Sequence, residues 1–317
     1  ARGEELNTHF RSFPNPMGLA PGRRRLVLGT RHMLWDFRDQ PAVAAKLDPP
    51  GTHDACYLPR TAHVTGDIRI HELVLVDDEL WAANTRFSCL STFDASTSFV
   101  PRWRPPFVSG LAPEDRCHLN GIGTRAGAIR YVTVLGLSNE ADGWREGKAD
   151  GGAVLDVPSG DVVAGGLSMP HSPRWHEGRL WVLESGRGRL SVIDETTGVA
   201  EAVAELPGFT RGLAFAGPYA LIGLSQVRES LFGGIPLTDR LGVDERRCGV
   251  WVVDTRSGAT VGLLQFQGSV QEIFDVQVLH GVRWPELAEP GAALADGAFV
   301  VPDEAVAELE LSEQPAP

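Results

Sequence analysis

An all-β fold, a single β-propeller, is the architecture that this 317-residue sequence predicts. Short strand-like runs recur along the chain, and two-strand phrases of similar pattern return at a spacing that suits propeller blades. The composition agrees, because 36 Gly and 22 Pro supply many turns. Sustained 3.6-residue periodicity is absent, except weakly over 303–312.

The strand-like runs include 25–30 (RLVLGT), 72–76 (ELVLV), 130–135 (RYVTVL), 180–184 (LWVLE) and 249–254 (GVWVVD). They are rich in β-branched and aromatic residues and bounded by turn formers. Segments 17–28, 71–82, 171–182 and 211–222 each read as a strand, a tight turn about six residues in, and a second apolar strand. Segment 118–132 fits with three extra residues around its turn. A second phrase, at 155–160, 193–198 and 253–258, ends a strand at Asp and reaches a Gly through a polar turn. There the Asp opens the turn and the Gly takes the left-handed position. The starts at 17, 71, 118, 171 and 211 lie 54, 47, 53 and 40 residues apart, and Asp275 offers a sixth start 64 residues on. About four short strands per interval make blades, whereas sandwich domains need roughly 100 residues each. Six blades are expected, with five as the alternative. The last start has little chain behind it, so the strand at 33–37 is expected to complete its blade. The propeller is assigned to 10–284 and an acidic, Ala/Pro-rich C-terminal tail to 285–317.

The charge balance, 29 Lys+Arg against 41 Asp+Glu, excludes the basic surface that phosphate backbones require. Eight acidic and no basic residues fall in 285–317, so −12 + 8 leaves only −4 on the rest. No apolar run approaches the roughly 20 residues needed to span a bilayer, so no membrane role is expected. Cys56, Cys89, Cys117 and Cys248 are too widely spaced for a zinc ribbon or a disulfide framework, which makes a reducing cytoplasm the default. Oligomeric state is not legible.

The repeat has a chemical consequence. The innermost strand of every blade lines the axial channel, so equivalent residues at its start form a ring around one mouth. These residues are Met17, His71, His118, His171, Arg211 and the candidate Asp275. His71 and His171 each lie ten residues before the Trp of a Leu-Trp pair, which sets their register. Three imidazoles converging on an axis suit a divalent transition metal (Fe, Cu or Zn are not distinguished), with Asp275, Glu272 or Glu72 as a further ligand or general base. Asn120 and Ser172 are candidates to orient the rings. Arg211 in the ring, with Arg116 and Arg174 nearby, favours a small or peptide-like anionic substrate, since guanidinium pairs with carboxylate or phosphate. The same arginines can instead staple blades through Glu114, Asp115 or Glu184. Trp103, between Arg102 and Arg104, is a candidate lid, and Trp144 shares that possibility.

The expected function is therefore a metal-dependent enzyme acting on an anionic substrate, its reaction class open among lyase, isomerase, hydrolase and oxidative chemistry. Two alternatives stand beside it: histidine acid–base catalysis without a metal, and a non-catalytic peptide- or protein-binding propeller.

Five phrases carry a resemblance: 81–94 (WAANTRFSCLSTFD), 111–121 (LAPEDRCHLNG), 166–176 (GLSMPHSPRWH), 206–215 (LPGFTRGLAF) and 272–279 (EIFDVQVL). Over roughly 10–285 the chain resembles an uncharacterised bacterial family of unknown function, some members of which are fused to tetratricopeptide repeats. More distantly it is similar in fold to the gluconolactonase, strictosidine-synthase and streptogramin-lyase propellers. That likeness implies a substrate or metal at the channel mouth, and it does not assign an activity.

Overall fold

A computed structural model describes residues 8–226, 233–302 and 304–306. The chain divides into two compact units: Phe13–Asp36 with Thr61–His280, and Ala1–Ser12 with Phe37–Arg60 and Gly281–Pro317. The expected helical run at 303–312 lies largely outside the described residues.

The larger unit is a five-bladed β-propeller. One blade begins with β1 (Leu19–Gly22), β2 (Arg25–Gly29) and β3 (Met33–Asp39). After β4 (Ala55–Val64), four four-stranded meanders follow in chain order. They are β5 (Ile70–Val76) to β8 (Val100–Trp103), β9 (Leu119–Arg125) to β12 (Val162–Leu167), β13 (Pro170–His176) to β16 (Ala200–Glu205), and β17 (Phe209–Ala216) to β20 (Thr260–Phe266). Inner strands β1, β5, β9, β13 and β17 neighbour one another in that order. Each comes first in its meander, so all run the same way along the channel.

The turn chemistry is as the sequence predicts. The Gly160, Gly198 and Gly258 N–H groups each donate to the carbonyl of the Asp four residues earlier, at 2.8 Å, and all three glycines have φ between +71° and +79°. Apolar faces pack from blade to blade. Trp181 and Trp251 are buried together with Leu183, Leu190, Leu213 and Leu224, from two successive meanders.

Five blades are present, the count given as the alternative, and the sixth does not form. The segment around 274–279 (FDVQVL) alternates like a strand in sequence but makes no ladder. Its polar atoms are satisfied otherwise: Ser225 Oγ accepts from the Ile273 N–H (2.9 Å), and the Asp275 carboxylate accepts from the Leu19 N–H (2.8 Å) and the Val276 N–H (2.7 Å). Asp275 thus ties this segment to β1, and Met33 stays in the first blade.

Gly212 permits that approach. Its φ is +74°, and a Cβ there would lie 2.4 Å from Val276 N and 2.6 Å from Asp275 Cα. Gly212→Ala combines left-handed strain with a backbone clash, and we expect a loss of about 2–4 kcal/mol in urea unfolding. A loss below 0.5 kcal/mol would show that the segment is not held there.

The smaller unit pairs the first part of β4 in parallel with β21 (Pro285–Leu287), matching Pro285 to Ala55. Ala44, Cys56, Leu58 and Ala288 form its buried centre. No described helix is long and apolar enough to cross a membrane.

Candidate functional site

His71, His118 and His171 come to one mouth of the channel, together with Arg211. The His71 and His118 rings meet edge to face with centroids 4.7 Å apart. His71 and His171 both feel the charge of Arg211. His118 also packs against Trp144, centroid to centroid 4.3 Å.

The backbone and neighbouring side chains decide which nitrogen of each ring is free. His71 Nδ1 lies 3.1 Å from the Arg69 carbonyl and 2.8 Å from Thr85 Oγ1. The Thr85 hydroxyl donates to the Leu119 carbonyl at 2.6 Å, so it accepts from the ring. His171 repeats the arrangement: Nδ1 lies 2.9 Å from the Met169 carbonyl and 2.8 Å from Ser185 Oγ, whose hydroxyl donates to the Thr210 carbonyl at 2.5 Å. Arg69 (φ +53°) and Met169 (φ +47°) both take the left-handed conformation, which presents their carbonyls to the rings. His118 has a carboxylate instead, with Nδ1 2.9 Å from Asp115 Oδ2. Carbonyls and carboxylates only accept, so all three rings carry hydrogen on Nδ1; His71 and His171, which burial keeps neutral, then hold a lone pair on Nε2.

Thr85 and Ser185 were not singled out in the sequence, although both lie 14 residues after a ring histidine and four after the aligned Trp. Asp115 was seen there only as a partner for arginine; here it also holds His118. Neither Asn120 nor Ser172 orients a ring. Asn120 Oδ1 accepts from Thr133 at 2.6 Å, and its Nδ2 has no partner.

Burial, the nearby Arg211 and, at His71, the neighbouring His118 hold His71 and His171 well below the ordinary imidazole value of 6.5. Both rings are therefore neutral bases at neutral pH. Below pH 6.5 the unfolded chain takes up a proton that folded His171 refuses, so stability falls as the pH drops. The slope is up to about 1.4 kcal/mol per pH unit for this group. We expect His171→Gln to lose less stability than the parent protein between pH 7 and pH 5.5, read from urea midpoints. Equal losses would contradict a neutral buried ring.

Arg211 is partly buried, its guanidinium carbon 4.4 Å from the centre of the Phe274 ring. Its Nε has no hydrogen-bond partner, and the Trp144 Nε1 donor beside His118 has none either. Burial lowers Arg211 to about 10, against the pull of Glu272, Asp275 and Glu72, and it remains cationic at neutral pH.

The other candidates fall elsewhere. Arg174 donates to the Leu213 (2.9 Å), Ile122 (3.0 Å) and Pro173 (3.0 Å) carbonyls and pairs with buried Glu72. It is the blade staple of the two readings, with Glu72 as its carboxylate. Arg116 pairs with Glu114 at 2.8 Å and also donates to Ser109 and Asn139. Trp103 lies on outer strand β8 against an interblade cluster, so the aromatic residue at the mouth is Trp144. Burial pushes the Cys117 thiol up to about 12, which makes it inert.

The residues do not fit the expected metal. Among the described residues no three His, Cys, Asp or Glu side chains group as a metal-ion set. The physical reason is the fourth ring position, where Arg211 sets a cation among the imidazoles. The expected fourth ligand is engaged too: Asp275 accepts two backbone N–H groups and both its oxygens lie 3.3 Å from Gln277 Nε2. Burial and the charge of Glu72 raise Asp275 to about 7. Glu272 is exposed.

Further along the same inner strands, a cavity of 180 Å³ is lined by Pro21, Leu75, Thr124, Trp175 and Gln277, with Glu72 and Arg174 in its wall.

The profile of a family described as "Domain of unknown function (DUF4915)" matches residues 1–288. The chain belongs to that family. No curated protein matches it. Among solved structures, it is similar to a gluconolactonase from Xanthomonas campestris at 15% identity, covering 80% of this chain and 77% of that one, with a TM-score of 0.51. It is similar to the PQQ-bound aldose sugar dehydrogenase of Streptomyces coelicolor at 15% identity, covering 87% and 88%, with a TM-score of 0.51. Regucalcin, a calcium-binding protein from Agrobacterium tumefaciens, gives 14% identity, 78% and 73% coverage and a TM-score of 0.50. At such identities the likeness is one of fold, shared by propellers that include enzymes.

Proposed function

We propose that this DUF4915 protein is an enzyme that binds a small carboxylate- or phosphate-bearing molecule at the histidine mouth and moves protons on it without a metal. One observation carries the reading: three imidazoles, each with Nδ1 committed, share the mouth with the Arg211 guanidinium. Arg211 anchors the anion, and Nε2 of neutral His71 acts as the base. When Nε2 of His118 takes or holds a proton, the Asp115 carboxylate on Nδ1–H offsets the positive charge. Trp144 packs against His118 at the mouth.

Calorimetric titration of chelator-treated protein with inorganic phosphate and short carboxylates tests the reading, with Arg211→Gln as the control. Binding in the parent protein that the variant lacks supports it. No binding, equal binding by both proteins, or binding that needs an added divalent metal refutes it.

A further inference from the structure

Hydrogen-bond polarity around the mouth narrows the class of molecule. Arg211 sets a cationic guanidinium near these rings, and it suits an anionic oxygen. The imidazoles present the opposite polarity. With Nδ1–H held by Arg69 and Thr85 at His71 and by Met169 and Ser185 at His171, each of these two neutral rings offers its Nε2 as an acceptor only. A simple carboxylate or a phosphomonoester dianion has no hydrogen to give to these nitrogens. Placing such an anion there sets lone pair against lone pair and leaves the acceptors unpaired, which is costly in a buried site.

From this juxtaposition of a guanidinium with acceptor-only imidazoles, we propose that the mouth is specific for a hydroxy acid. Its carboxylate meets Arg211, and one or more hydroxyls on neighbouring carbons donate to Nε2 of the histidines. The same arrangement serves catalysis, because a hydroxyl hydrogen-bonded to Nε2 of His71 is already positioned to lose its proton. The inference rests on the anion reading above and deepens it.

The rings cannot readily turn over to offer N–H instead. Moving the proton from Nδ1 to Nε2 would set a lone pair, and turning the ring over a C–H, against the Met169 carbonyl at His171, the Arg69 carbonyl at His71 and the Asp115 carboxylate at His118. Thr85 and Ser185 lock the same choice, since their own hydrogens are spent on Leu119 and Thr210. These two are positioning residues. Side-chain exposure of 14% at His118 leaves the mouth open to a solute.

The deciding experiment compares each lactate enantiomer with propionate, which has the same charge and nearly the same shape but lacks the hydroxyl. Titrations are run at pH 7.5, with ¹⁵N imidazole spectra recorded alongside. We expect at least one lactate to bind about tenfold more tightly than propionate, as one desolvated hydrogen bond allows. The spectra should show neutral rings with Nδ1–H, and bound lactate should shift Nε2. In His71→Phe the lactate-to-propionate ratio falls towards one. Should that variant not fold, Thr85→Val is used; there the spectra should show mixed tautomers and the ratio should drop. If propionate and both lactates bind parent protein equally, the hydroxy-acid inference is overturned while the anion reading survives. If none of them binds, both fall.

Discussion

Arg211→Gln is expected to weaken anion binding on the order of 100-fold, measured by calorimetry at pH 7.5 with a short hydroxy or simple carboxylate. The size follows from the setting. A guanidinium in open water adds little, but this one is partly buried, stacked on Phe274, and has an Nε with no protein partner. A bound carboxylate would give this cation a charge-assisted hydrogen bond. Gln keeps a polar side chain and loses the charge. The fold should tolerate the change, because burying a cation is itself unfavourable and Glu272, which faces Arg211, is exposed to water. Retained affinity in a folded Arg211→Gln protein would place the anion site elsewhere.

Much of this site was legible from the repeat alone. Aligning His71 with His171 on the Trp ten residues later put both at the start of an inner strand, and the same frame put His118 and Arg211 beside them. The frame also contained Thr85 and Ser185, four residues after those tryptophans. Their role depends on where their own hydroxyl hydrogens go, and the acceptors lie in the next blade, at Leu119 and Thr210. Partners across blades are invisible in a one-dimensional pattern. The same limit hid the link between Glu72 and Arg174, which are 102 positions apart in sequence.

The sixth blade was misread for a related reason. FDVQVL alternates as a strand should, but strand pattern does not guarantee a ladder partner, and Asp275 itself takes the Leu19 and Val276 N–H groups. The metal expectation was not confirmed, and charge weighs against it. Counting imidazoles suggested a ligand set, whereas an arginine in the ring makes the mouth fit an anion better than a cation.

Arg174→Leu should be the most damaging of these substitutions to the fold, costing about 3–5 kcal/mol in urea or thermal unfolding. Arg174 joins β13 to carbonyls on β9 and β17 and to Glu72 on β5, so one side chain spans four inner strands. Removing it leaves those carbonyls short of a donor and strands a carboxylate that is only 4% exposed. Burial already raises Glu72 above its ordinary value of 4.5 while Arg174 pulls it down; without the arginine it rises further. The folded variant then holds a proton on Glu72 in a pH range where the unfolded chain has released it. Its stability consequently falls as pH climbs above 4.5, and the deficit relative to the parent protein should be larger at pH 8 than at pH 5. A second substitution separates the carboxylate from the packing. In Glu72→Leu/Arg174→Leu no charge is left buried, so part of the loss should return and the extra deficit at pH 8 should vanish. If the single variant is as stable as the parent protein, or its deficit is the same at both pH values, the Glu72–Arg174 pair does not hold the inner strands together.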